Sequence, residues 1–224
     1  MNPVYVAIDT GDFDRAQSLA RIVAPYVGGL KLGLEFFMAQ GPEGVRRMAA
    51  FGLPIFLDVK LHDIPNTVAG AMRSLSPLGL ELVNVHASGG REMMAAAREA
   101  MDSATRVIAV TVLTSLDESD LGRMGVGGTA SDQVARLADL ARASGLCGIV
   151  CSGQEVAQRR LAWPEGCFVV PGLRPSGNAE GDQKRVMTPR AARDAGAEVL
   201  VIGRPITGAA DPAAAAEAIA ASLA

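Results

Sequence analysis

Asp58, Lys60 and Asp63 close an apolar run that begins at Pro54, placing three charges where a buried strand should be finishing. Alternate side chains along a strand face opposite ways, so Asp58 and Lys60 share one face while Leu57, Val59 and Leu61 share the other. A carboxylate and an ammonium held side by side at a buried strand end are costly unless paired or functional. A structural ion pair is the plain reading of an isolated Asp-x-Lys. Lys31, flanked by Leu30 and Leu32, and Asp9, directly after Val4–Ile8, add a second pair of opposite charges at strand ends. Alternating charges that converge in a low-dielectric pocket can neutralise one another, and the carboxylates favour the ammonium form that a proton donor needs.

These residues need a scaffold that gathers strand ends. Short β-branched runs recur at 4–8, 29–33, 55–60, 82–86, 107–112, 148–151, 168–171 and 199–202. Helical candidates follow near 13–24, 36–51, 65–78, 90–102, 131–145, 153–162, 188–195 and 211–223. Thr188-Pro189 and Asp211-Pro212 have the cap-then-proline form of a helix start, and Gly145 and Gly196 stand where helices should stop. Strict alternation implies a parallel sheet, and eight units imply an α/β fold of the (β/α)8 TIM-barrel type, a single catalytic domain over residues 1–224. A doubly wound open sheet is the alternative, because a strand count does not prove closure. The stretches 114–130 and 173–187 read as irregular.

In such barrels the active site lies at the C-terminal ends of the strands, and phosphate is often bound after strands seven and eight. Here those loops supply Arg174 in Pro171-Gly172-Leu173-Arg174 and Arg204 in Ile202-Gly203-Arg204-Pro205. A glycine at Gly203 lets a ligand approach the backbone, and a helix starting there would offer N–H groups to an anion. Ser152 likewise follows an apolar strand directly. No nucleophile elbow, zinc-binding His-Glu-x-x-His or phosphate-cradling Gly-x-x-x-x-Gly-Lys is present. Cys147 and Cys151 read as packing residues, His62 as a partly exposed loop residue and His86 as a support for the pocket.

Composition narrows the field further. With 49% hydrophobic residues the chain can bury a sizeable core, and a net charge of −3 offers no global attraction for nucleic acid or membrane. There is no basic-then-apolar leader at the N-terminus and no uncharged run long enough to span a bilayer. Three cysteines in apolar contexts read as reduced thiols, so the expected setting is the cytoplasm.

Asp58-x-Lys60-x-x-Asp63 followed by Ile64-Pro65-Asn66-Thr67 resembles the signature of the orotidine 5′-phosphate decarboxylase family, in its bacterial form. The resemblance extends through Asp9, Lys31, Val83-Asn84-Val85-His86-Ala87, Val112-Leu113-Thr114-Ser115, Cys151-Ser152, the 171–183 loop and Gly203-Arg204. It implies conversion of orotidine 5′-phosphate to uridine 5′-phosphate and CO2, the last step of pyrimidine nucleotide synthesis, without metal or organic cofactor. It further implies that Lys60 is the proton donor beside Asp58, and that Asp9 and Lys31 hold the ribose hydroxyls. By the same resemblance Thr67 and Thr114 assist positioning and Ser152 reads the pyrimidine edge, while Arg204, Gly203, Gln183 and Arg174 grip the phosphate. A homodimer with shared active sites, Asp63 crossing to the neighbouring site, is also implied. Two alternatives remain: a Mg²⁺-dependent sugar-phosphate relative sharing the Asp-x-Lys-x-x-Asp pattern, and a barrel that only binds a phosphorylated metabolite.

Overall fold

Eight parallel strands pair in chain order and the last returns to the first, closing a barrel. They are β1 (Val4–Ile8), β2 (Gly29–Gly33), β3 (Ile55–Leu61), β4 (Leu82–His86), β5 (Arg106–Val110), β6 (Gly148–Val150), β7 (Cys167–Val170) and β8 (Val199–Ile202). The decisive pairing is β1 with β8, where Val4, Tyr5 and Val6 register with Leu200, Val201 and Ile202. Closure removes both sheet edges and rules out the open sheet. The computed structural model describes residues 2–175 and 187–223.

Ten α-helices lie among the described residues: α1 (Phe13–Val23), α2 (Leu34–Ala49), α3 (Pro65–Leu75), α4 (Arg91–Glu99), α5 (Glu118–Arg123), α6 (Ala130–Ala143), α7 (Gly153–Ala162), α8 (Pro189–Asp194), α9 (Arg204–Thr207) and α10 (Pro212–Ala221). The expected caps form. Thr188 Oγ1 accepts from Ala191 N–H at 3.2 Å and Asp211 Oδ1 from Ala214 N–H at 3.0 Å, each with proline next in line. Gly145 (φ 76°) and Gly196 (φ 104°) end α6 and α8 in the left-handed conformation that favours glycine.

Two features depart from the sequence reading. The helix expected over 36–51 starts at Leu34 and breaks at Gly41 (φ 60°) just before Pro42, which cannot donate to the helical ladder. The stretch 114–130 is not wholly irregular, because Asp117 and Asp120 form a reciprocal capping box that starts the short α5.

The strand period divides the core in two. Val4, Val6 and Ile8 join Leu30, Leu32, Leu57, Val83 and Val85 in the large cluster that also takes in the buried faces of the helices. Tyr5, Ala7, Phe56, Leu82, Ile108, Cys167, Val169, Val199 and Val201 form a separate cluster filling the barrel. Beneath it Arg106 is held between Glu81 at 2.8 Å and Glu198. Burial pushes the Tyr5 hydroxyl and the Cys167 thiol up to about 12, so both stay neutral in this plug. The same inward parity, followed toward the C-terminal strand ends, reaches Asp9, Lys31, Asp58 and Lys60. The site therefore sits on a packed apolar floor.

Candidate active site

Asp58 is the hub. Its Oδ1 accepts from Lys60 Nζ at 2.6 Å, its Oδ2 lies 3.5 Å from Lys31 Nζ, and Lys31 Nζ in turn donates to Asp9 Oδ1 at 2.6 Å. The four charges thus run Asp9, Lys31, Asp58, Lys60 across the ends of β1, β2 and β3. The two inner charges are the less accessible: the Lys31 side chain is 7% accessible and Asp58 14%, against 33% for Lys60 and 54% for Asp9 at the two ends. Even the two less accessible members, Lys31 and Asp58, line the cavities that open on this network. Burial alone would raise the Asp58 carboxyl. The charges of Lys31 and Lys60, with hydrogen bonds from Lys60 and Asn84, outweigh it and hold Asp58 below the usual carboxylate range.

Lys60 is the one described non-glycine residue with positive φ, at 52°. A side chain in that conformation costs on the order of 1–3 kcal/mol, and such strain persists only where surrounding contacts enforce it. The β3–β4 ladder shifts register between Leu57 and Leu61, the segment that contains Asp58 and Lys60.

Two adjoining cavities open on this hub. One, about 150 Å³, is lined by Asp58, Lys60, Val112, Thr114, Cys151 and Pro171 among others. The second, about 170 Å³, holds Asp9, Lys31, Gly172, Arg174, Gly203 and Arg204 and shares Asp58, Pro171 and Val201 with the first. A largely apolar slot beside Lys60 thus meets a basic recess carrying two arginines. Arg174 is buried, its guanidinium donating to the Leu173 carbonyl at 2.9 Å, while Arg204 is exposed. The helix-terminus expectation at Gly203 is narrowed by the geometry. The Gly203 carbonyl takes the N–H groups of both Ile206 (2.8 Å) and Thr207 (3.0 Å), and Pro205 has none. An anion there would rely on the Arg204 side chain more than on helix amides.

Three expected residues stand outside these cavities. Asp63 and Thr67 are exposed at the start of α3 and line neither. Asp63 does not cap α3: its Oδ1 accepts from the adjacent Ile64 N–H at 2.7 Å, and the cap position is Ile64. Ser152 is fully buried, its hydroxyl donating to Glu155 Oε2 at 2.5 Å in a capping box that starts α7. Gln183 lies outside the described residues.

A family model described as the orotidine 5′-phosphate decarboxylase / HUMPS family matches residues 2–219. The chain belongs to that family. It is 62% identical over 222 residues to an orotidine 5′-phosphate decarboxylase of Novosphingobium aromaticivorans, covering 99% of both chains. Among solved structures it superposes on an orotidine 5′-phosphate decarboxylase from Lactobacillus acidophilus with a TM-score of 0.83 at 33% identity, covering 100% of this chain and 99% of the other. An uncharacterized conserved protein from Geobacillus kaustophilus gives 0.85 at 37% identity, covering 99% and 100%.

Within this decarboxylase-family site, two residues escaped the sequence reading as members of the charge network. Gly33, at the end of β2, has no room for a side chain: a Cβ would fall 2.5 Å from Asp9 Oδ1 and 2.8 Å from Lys31 Nζ. The ion pair occupies that space. Asn84 on β4 is wholly buried and bonds to both Asp58 and Lys60. Its signal was an amide between Val83 and Val85 on the inward parity of an apolar strand. His86, at the end of the same strand, lies with its ring centroid 5.7 Å from that of His62. Burial, then the neighbouring His62 and Lys60 charges, depress its basicity against the opposing pull of Asp58.

Proposed function

We infer that this chain removes CO2 from orotidine 5′-phosphate to give uridine 5′-phosphate, the closing step of pyrimidine nucleotide synthesis. The observation that carries the reading is the Asp58 carboxylate fixed between Lys31 and Lys60 where an apolar slot meets a two-arginine recess. The pyrimidine fits the slot and the phosphate the recess, with Asp9 and Lys31 between them for the ribose hydroxyls. Gly203, Arg204, Arg174 and Gln183 are assigned to the phosphate and Thr114 to positioning; Thr67 can join it only from outside the two cavities, and Ser152 can read the pyrimidine edge only by releasing Glu155.

Decarboxylation breaks the bond between C6 and its carboxylate and leaves the electron pair on C6, in an in-plane orbital that the ring cannot delocalise. The Lys60 ammonium stabilises that charge as it develops, then gives C6 the proton that completes uridine 5′-phosphate. The neutral amine regains a proton from solvent. Asp58 stands beside the substrate carboxylate, so the bound ground state is disfavoured relative to a transition state in which that group is leaving as CO2. Phosphate binding remote from C6 supplies energy for holding the reacting end in place. The reaction is assigned no metal and no organic cofactor, since Lys31 and Lys60 already supply the positive charge that a carboxylate site would seek from Mg²⁺. The acting unit is proposed as one catalytic domain over residues 1–224, paired as a homodimer in the cytoplasm and binding neither nucleic acid nor membrane.

The test follows ultraviolet absorbance after orotidine 5′-phosphate is added to chelator-treated enzyme. Turnover that persists in EDTA is the expected result. Activity that vanishes with EDTA and returns with Mg²⁺ would indicate the sugar-phosphate type of chemistry, and uridine 5′-phosphate binding without turnover would leave a binding barrel.

A further inference from the structure

The strained backbone of Lys60 and the orientation of Asp58 share one support. Asn84 Nδ2 donates to Asp58 Oδ1 at 2.6 Å, and Asn84 Oδ1 accepts from the Lys60 N–H at 2.7 Å. The carboxamide is 0% exposed, so neither bond competes with water. It also lies where the β3–β4 ladder is interrupted, between the Leu57↔Val83 and Leu61↔Val85 pairings. A single side chain thus stands in for the missing ladder contact, takes the N–H of the left-handed residue, and fixes the carboxylate that Lys60 Nζ also grips.

We propose that Asn84 is a positioning residue for the decarboxylation, setting Asp58 and the Lys60 ammonium in register through these two opposed hydrogen bonds. This rests on the assignment of Lys60 as proton donor. The carboxamide is suited to the task by having a donor and an acceptor on one rigid plane. A carboxylate could accept from Lys60 N–H but could not donate to Asp58 unless protonated. An aliphatic side chain of similar volume could do neither.

The test compares Asn84→Asp and Asn84→Leu with Lys60→Ala, reading kcat and KM for orotidine 5′-phosphate, affinity for uridine 5′-phosphate and the pH profile. Misplacing a catalytic group by about 1 Å can cost about a hundredfold in rate. Asn84→Leu should therefore lose about that factor in kcat at every pH, with uridine 5′-phosphate affinity within about threefold of wild type. Asn84→Asp should show the same loss at neutral pH and recover part of it on acidification, because a proton shared between the introduced carboxyl and Asp58 restores the donated bond. Mere packing damage would not produce that acid-side recovery.

Wild-type kcat and pH profile in folded Asn84 variants, beside an inactive Lys60→Ala, would overturn the Asn84 role and leave the Lys60 assignment standing. An active Lys60→Ala would overturn the Lys60 assignment and the Asn84 role with it. If burial prevents both Asn84 variants from folding, the native Asn84 carboxamide is read directly, with and without Asp58→Asn. Selective 15N labelling of asparagine should show one carboxamide protected from exchange, whose proton shift moves in Asp58→Asn. Rapid exchange of the Asn84 carboxamide, or no response to Asp58→Asn, would overturn the proposal.

Discussion

Lys60 reaches Asp58 from a left-handed backbone, and the two groups make a 2.6 Å contact at the edge of the apolar slot. If Lys60 acts on charge that exists mainly in the transition state, its loss should appear in kcat rather than in product binding. Lys60→Ala is expected to leave a folded protein that binds uridine 5′-phosphate and has no measurable turnover by absorbance assay. A variant keeping a large share of wild-type kcat would remove the proton-donor role. Asp58 leaves a separate signature in stability. Its carboxyl is held below the ordinary range, so the folded state binds its proton less readily than the unfolded state, whose value is about 4. The resulting stability is fully present above about pH 4 and is lost as pH falls through the folded-state value. Urea unfolding of wild type and Asp58→Asn should show this directly. The wild-type stability minus the variant stability is expected to decrease as pH falls below about 4.

At the scale of the element, what matters is how strand ends are brought to one mouth. Inward positions on β1, β2 and β3 end in Asp9, Gly33 and Asp58, and Gly33 registers with Asp58 across the β2–β3 ladder. The glycine leaves the gap through which Lys31 reaches Asp9. Gly33→Ala should dislodge that pair without unfolding the barrel, giving at least about a tenfold loss of kcat/KM with circular dichroism unchanged. An unchanged kcat/KM would mean that the ion pair tolerates displacement. Arg204 belongs to this scale too, since α9 places it at the rim of the basic recess. Arg204→Ala should weaken binding of orotidine 5′-phosphate while scarcely changing slow turnover of the unphosphorylated nucleoside. Equal losses with both would make it a support of the fold or of the base pocket.

The parity that brings Lys31, Asp58 and Lys60 together was readable from the sequence because a strand has a period of two and each charge interrupted an apolar run. Asn84 also shared that parity, but its bonds depend on a cross-strand register and a ladder shift that no local pattern encodes. Gly33 was unreadable for a related reason, since the atoms that exclude a Cβ belong to Asp9 on another strand and to the tip of Lys31. The kink of α2 at Gly41-Pro42 had a local signal that the longer periodic pattern masked, whereas the Asp117–Asp120 box opens a helix of only six residues in a glycine-rich stretch, too short to show a helical period.

On the scale of the molecule, one barrel leaves part of the expected site unengaged. Asp63 and Thr67 are exposed and line neither cavity, and between them Ile64 is 68% exposed. An exposed isoleucine flanked by a carboxylate and close to an active-site mouth suits a contact with a second copy of the chain. Two-fold pairing would act reciprocally, each Asp63 entering the other barrel's site, because the same patch serves both partners. Complementation tests this with two variants, each expected to be inactive alone if Asp63 and Lys60 both serve the site. Lys60→Ala and Asp63→Ala are mixed under conditions that let subunits exchange, and exchange is confirmed by mass spectrometry. If Asp63 acts across the interface, each mixed dimer has one site carrying both lesions and one intact site. Random pairing makes half of the dimers mixed and half of their sites intact, so activity should recover to roughly a quarter of wild type under this symmetry. Exchange without recovered activity would place Asp63 in its own barrel's site or outside the chemistry, and the shared-site dimer would have to be abandoned.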